Sequence, residues 1–136
     1  MTKLRDISIE KDYTTMSLSS VLYSSGETKV LVTTSVSDFL PRWLVGENYG
    51  WVTAEYSMLP GSSPQRVNRS SYEKGRAKEI SRLIGRSLRT VVDLKKIEGL
   101  NITVDCDVLQ ADGGTRTAAI NGAWIALKDT FQKLLR

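Results

Sequence analysis

The sequence predicts an α+β fold in which a mixed, largely antiparallel sheet carries two long amphipathic helices. Three observations predict it. Apolar residues alternate through Leu100, Ile102, Val104, Cys106 and Val108, the period of two that marks a strand with one buried face. From Ile120 the rhythm changes to three and four, through Trp124, Leu127, Phe131 and Leu134, as in a helix. A second helical pattern, Ile80, Leu83, Ile84, Leu88 and Val91, precedes the strand and is set against Lys78, Arg82, Arg86 and Arg89 on the other side.

Taken in order, Ile7 and Ile9 mark a first strand, residues 18–23 and 28–35 two more joined around Ser25-Gly26, and residues 51–58 a fourth. Residues 37–48 form a connection. Residues 60–71 are polar, broken by Pro60, Gly61 and Pro64, and too poor in apolar side chains to pack as a core element, which predicts a mobile loop. The helix through residues 79–94 follows, then the strand and the last helix. No linker or repeat divides the chain, so residues 1–136 read as one domain with a single core.

Composition excludes whole classes of chemistry. With no histidine, imidazole catalysis and histidine-containing zinc sites are ruled out. Cys106 is the sole cysteine, so neither an internal disulfide nor a cysteine-rich metal site can form, and its place on the apolar strand face predicts a buried thiol. No apolar run is long enough to span a bilayer and the opening residues lack a secretory hydrophobic region, so the expected location is the cytoplasm. The net charge of +4 is unevenly placed: Arg66, Arg69, Lys74, Arg76, Lys78, Arg82, Arg86, Arg89, Lys95 and Lys96 crowd the middle, opposed there only by Glu73, Glu79 and Asp93. Such a cluster suits a polyanion.

The chemistry is concentrated at Asp105-Cys-Asp-Val-Leu-Gln-Ala-Asp-Gly-Gly-Thr-Arg-Thr117, where strand gives way to helix. Gly113 and Gly114 let backbone approach a ligand without a Cβ between them, and the helix beyond presents unpaired N–H groups and its positive dipole end. Thr115, Arg116 and Thr117 add hydroxyl donors and a cationic fork, so the expected ligand is phosphate or a phosphate ester. On local grounds the same pattern also suits a tight turn with a solvated arginine, and it lacks the Gly-Lys-Ser/Thr ending of a nucleotide P-loop. Arg76 stands near a helix start, where dipole and free N–H groups already favour an anion. Asp105 and Asp107 share a strand face but have no third ligand type beside them, so they read as hydrogen-bonding or salt-bridge residues and not as metal ligands.

Three blocks, Gly50-Trp-Val-Thr-Ala-Glu-Tyr-Ser-Met-Leu-Pro60, then Arg76 ahead of Glu79-Ile-Ser-Arg-Leu-Ile-Gly-Arg-Ser-Leu-Arg-Thr-Val-Val-Asp-Leu94, then residues 105–117, closely resemble the bacterial ribonuclease PH family. Agreement extends to Gly26-Glu-Thr-Lys-Val-Leu31 and Pro41-Arg-Trp-Leu44, so the resemblance runs from about Leu4 to the end. It implies the ribosomal protein S5 domain 2-like fold, a phosphorolytic 3′-to-5′ exoribonuclease that trims precursor tRNA ends with inorganic phosphate as co-substrate, and a ring-shaped hexamer. It further implies one phosphate pocket made by Arg76, Gly114, Thr115 and Arg116; Arg66 and Arg69 on the polar loop, and Arg42, are expected from their charge to reach RNA, and beside Trp43, Arg42 equally suits a subunit contact. Family members are nearly twice as long, and the length absent here is where the resemblance implies acidic residues that hold Mg2+. The residue after Pro60 is Gly61 where an arginine is usual, and the segment between Arg69 and Arg76 is shorter than usual. This chain is therefore expected to supply the phosphate- and RNA-binding half of the enzyme, in a homo- or hetero-oligomer or with a second chain carrying the other half. The alternative is a non-catalytic RNA-binding or ring-forming subunit of an exosome-like assembly.

Overall fold

The computed structural model describes residues 4–70 and 75–135; Ser71, Glu73 and Lys74, assigned above to the loop and the basic cluster, lie outside the described residues. Five strands, β1 (Ile7–Lys11), β2 (Ser19–Ser25), β3 (Thr28–Ser37), β4 (Trp51–Met58) and β5 (Asn101–Gln110), make one sheet in the order β1-β2-β3-β5-β4. The first four neighbouring strands in that order run antiparallel, and β4 lies parallel to β5 with Trp51 opposite Asn101 and Met58 opposite Val108. A parallel pair needs a crossover, and α1 (Arg76–Arg89) supplies it. The last helix, α2 (Thr115–Leu134), follows β5 directly.

Both helices lie on one face of the sheet. Val21, Val30, Val32, Val52, Ile102, Val104 and Val108 form the sheet's contribution to the core, and each is fully buried. Against them pack Ile80, Ile84 and Leu88 of α1 and Leu127 of α2. The alternation predicted for β5 is present residue by residue, with Cys106 buried as expected. On the opposite face Thr33, Thr103, Asp105 and Asp107 are half-buried and Glu55 is exposed. Two short 3-10 turns, Arg42–Leu44 and Leu94–Ile97, bury Leu44 and Ile97 at the Trp51 end of β4. Gly50 enters β4 so close to the Ile97 and Leu100 carbonyls that a Cβ there would collide with backbone.

The structure corrects the helical reading in two places. α1 ends at Arg89, and Val91, placed inward by the rhythm, is 61% exposed. In α2 the predicted stripe is only partly the buried one: Leu127 is fully buried and Ile120, Phe131 and Leu134 pack against the core, but Trp124 is 41% exposed, and Ala118, Ala119, Gly122, Ala123, Ala126 and Thr130 join Leu127 against the sheet. Small residues win because they let the helix backbone approach the strands; a Cβ at Gly122 would stand 3.0 Å from Val32 Cγ2 and 3.1 Å from Tyr23 Cβ. Thr130 is accommodated there by hydrogen bonds with Thr34, Ser19 and the Ala126 carbonyl.

Candidate phosphate and nucleic-acid site

The site begins with two consecutive left-handed residues. Gly113 (φ 82°) and Gly114 (φ 70°) turn the chain from β5 into α2, a conformation that strains any residue with a Cβ. Gly114 occupies the N-cap of α2 and no side chain caps the helix start. Its first N–H groups therefore face outward unclaimed by a capping side chain, the arrangement that receives an anion.

The turn is clamped from beneath by residues the sequence reading did not single out. Thr28, fully buried at the start of β3, donates through Oγ1 to the Gly113 carbonyl at 2.7 Å and accepts from the Asp112 N–H at 2.9 Å. Arg5 reaches the same Gly113 carbonyl at 3.3 Å and the Ser25 carbonyl at 3.5 Å. Tyr56 on β4, 4% exposed, donates its phenolic O–H to Thr115 Oγ1 at 2.9 Å. Nothing local in the sequence signals these contacts, since each spans tens of residues; the hint is that Thr28 and Tyr56 lie in blocks shared with ribonuclease PH.

Above this floor, Arg76, Gly113, Gly114, Thr115, Arg116 and Thr117 line one depression of about 370 Å3, closed at its base by Tyr56, Met58 and Ala111. All four residues assigned to the phosphate pocket are thus brought together, Arg76 from the first turn of α1 and the other three from the start of α2. Two guanidinium groups and two helix starts converge there with no carboxylate among the described lining residues, so the depression suits a multiply charged oxyanion.

Arg76 and Arg116 also border a second, larger cleft of about 610 Å3 between the helices, where Arg82, Arg86 and Arg89 join them and Glu79 is the one acid among the described lining residues. Arg82 and Arg86 are solvent-facing, as the helical pattern predicts. Arg89 is not: it is half-buried, its guanidinium lies 4.5 Å from the centre of the Trp51 ring, and it donates to the Val52 carbonyl at 2.9 Å. Burial, with Arg86 nearby, lowers its pKa from the ordinary arginine value.

The residues assigned to RNA separate into two places. Arg66 and Arg69 are exposed on the segment that leaves β4 at its pocket end. That segment is a loop, as expected, and is tied down at its root, with Val67 N–H donating to the Pro60 carbonyl, Ala111 N–H donating to the Ser62 carbonyl, and Ser62 itself buried. Arg42 lies beside Trp43, which stacks edge-on with Trp51 at 4.8 Å, at the other end of β4. Seven residues of strand, about 23 Å at the usual rise, separate Trp51 from Met58 at the pocket. Arg42 is therefore not part of the depression.

Asp105 and Asp107 sit on the sheet face away from the helices, Asp105 opposite Glu55. Burial raises both carboxyls above their ordinary value, and Asp105 adds to the effect on Asp107. Burial, then the two flanking aspartates, raises the Cys106 thiol far above the reactive range. Among the described residues no group of three or more histidine, cysteine, aspartate or glutamate side chains is placed to hold a metal ion. No helix among them is long and apolar enough to cross a membrane.

Comparison with known proteins follows the same residues. Positions 3–131 match the model of the 3′ exoribonuclease family, domain 1. Ribonuclease PH of Synechococcus elongatus is 49% identical over 134 residues, which cover 98% of this chain and 56% of that protein. Among solved structures, rice (Oryza sativa) Rrp46 superposes with a TM-score of 0.75 at 18% identity, over 94% of this chain and 57% of the other. The Archaeoglobus fulgidus exosome with RNA bound to the active site gives 0.75 at 23% identity, over 97% and 55%. These two likenesses show the shared fold, and the chain spans about half the length of the relatives it matches.

Proposed function

This chain belongs to the 3′ exoribonuclease family, and on that premise we propose that it supplies the phosphate- and RNA-binding half of a phosphorolytic 3′-to-5′ exoribonuclease that trims tRNA ends. The observation that carries the proposal is the convergence of Arg76, Gly114, Thr115 and Arg116 on one depression. Inorganic phosphate held there by two guanidinium groups and the first N–H groups of α2 attacks the terminal phosphodiester in line and releases a nucleoside diphosphate. The same cations offset repulsion between the two anions and stabilise charge on the equatorial oxygens of the transferring group. Exposed Arg66 and Arg69, on the segment beside the pocket, hold the RNA strand.

Mg2+, which the family resemblance implies, is not fitted by the described residues. In this proposal the ion and the proton-transfer groups belong to the remaining length of the relatives, of which this chain covers 56% in the cyanobacterial case. The working form is a multi-subunit ring in the cytoplasm. The Archaeoglobus fulgidus exosome, solved with RNA bound to its active site, supports the RNA part of this reading.

The test measures nucleoside diphosphate release from a tRNA with an extended 3′ end, in the presence of magnesium, with and without inorganic phosphate. The chain alone is expected to retain tRNA without release, and phosphate-dependent release is expected once a chain carrying the remaining half is added. Retention of tRNA with no release in either case favours the second reading, a non-catalytic ring subunit. A chain that binds neither phosphate nor tRNA overturns both.

A further inference from the structure

We infer that Tyr56 is a positioning residue for the phosphate pocket, acting through the Thr115 hydroxyl; this rests on the phosphate reading above and deepens it. Thr115 is the first residue of α2, and its Oγ1 accepts a hydrogen bond from the Tyr56 phenol at 2.9 Å. A hydroxyl oxygen that accepts in one direction keeps its own O–H for another. Here one acceptor position is taken by Tyr56, and Thr115 lines the same depression as Arg76 and Arg116, so its O–H is left to donate to an anion held there. An oxyanion in that space receives a donor whose orientation is set in advance and polarised by the phenol behind it.

Tyr56 is itself firmly held. It is 4% exposed, and its backbone N–H donates to Ser81 Oγ of α1 at 2.9 Å. One residue of β4 therefore ties the helix that carries Arg76 to the helix that carries Thr115 and Arg116. A phenylalanine at this position preserves the ring and its packing but leaves the Thr115 hydroxyl free to rotate. The reading distinguishes Tyr56 from the arginines: its phenol acts on the anion through another side chain, and its contribution vanishes when that side chain loses its hydroxyl.

The experiment is calorimetric titration of inorganic phosphate into the full chain at fixed ionic strength, for the wild type, Tyr56→Phe, Thr115→Val and the double variant, with thermal unfolding of each. Tyr56→Phe is expected to weaken phosphate binding about three- to tenfold, the range for one neutral hydrogen bond. In the Thr115→Val background the same change is expected to alter affinity less than about twofold, because the coupling is lost. Thr115→Ser, which keeps the hydroxyl, is expected to restore affinity to within about twofold of the wild type.

Unchanged affinity in Tyr56→Phe, or a loss of equal size in both backgrounds, overturns the inference and leaves the phosphate pocket standing. Should Tyr56→Phe fail to fold, Thr115→Val alone decides: a loss of threefold or more supports the role, and none overturns it. A wild type that binds no phosphate overturns the pocket and the inference together.

Discussion

The two helices cover the same face of the sheet by different means. α1 buries Ile80, Ile84 and Leu88 together with Ala77 and Gly85, leaving Arg82 and Arg86 in solvent and carrying Arg89 round to Trp51. α2 buries alanines and Gly122, so its backbone lies against β2 and β3. The difference shows which helix sets position and which sets charge. Close packing fixes the start of α2 relative to Thr28 and Tyr56, so that Gly114 and Thr115 present backbone and hydroxyl at a defined place. α1 contributes Arg76, an exposed cation at its first turn.

That contrast makes α2 the helix to break by size and the pocket arginines the residues to break by charge. Gly122→Val should be the largest single effect on folding, about 2–3 kcal/mol, since its side chain must displace Val32 and Tyr23 from contacts already at 3.0 and 3.1 Å. Urea unfolding measures it, and a loss below about 0.5 kcal/mol would show that α2 does not need its close approach. Arg116→Ala should instead leave unfolding unchanged and weaken phosphate binding by about 1.5–3 kcal/mol, roughly ten- to hundredfold, as expected for a charged donor on an anion. Equal loss of stability and affinity there would erase the distinction between residues that pack the helix and residues that supply charge.

Gly114→Ala comes next, at about 1–2 kcal/mol, because φ is 70°. No heavy atom lies within 4 Å of the added Cβ, so the cost is conformational and should appear in stability and phosphate affinity alike. The smallest effect concerns the face that neither helix covers. Asp105 and Asp107 have raised carboxyl pKa values, so the folded state holds protons more tightly than the unfolded chain. Stability should therefore increase as pH falls from neutral through those raised values, and the gain should be complete below the ordinary value of 3.8. In thermal melts across that range, the double variant Asp105→Asn with Asp107→Asn should be modestly more stable than the wild type at pH 7 and equal to it below pH 4. A wild type that instead loses relative stability on acidification would mean the two carboxylates are paired.

Much of this was legible in the residues themselves. The boundaries of β4 and the alternation of β5 follow from local periodicity, and the Gly113-Gly114 turn follows from the change of period around it. Glycines at two successive left-handed positions are a local requirement of the backbone, which is why the anion-receiving turn was visible before any contact was known. Arg76 lies 40 residues from Arg116, and local reading gave each only a place at a helix start; the resemblance to ribonuclease PH joined them, and the depression they share supports that joining.

What the tertiary structure decided was distance. Periodicity reports which side chains avoid water, and in α2 it selected Trp124; the buried stripe is set instead by how near the helix axis comes to the strands, which favours alanine and glycine. The same holds for Arg42, grouped with Arg66 and Arg69 by charge but set at the other end of β4. Thr28, Arg5 and Tyr56 gain their roles only because β3, the first strand's leader and β4 meet beneath one turn. Local sequence fixes the conformation of each segment, whereas the contacts that hold a site in shape are long-range, and their geometry follows from packing the whole sheet.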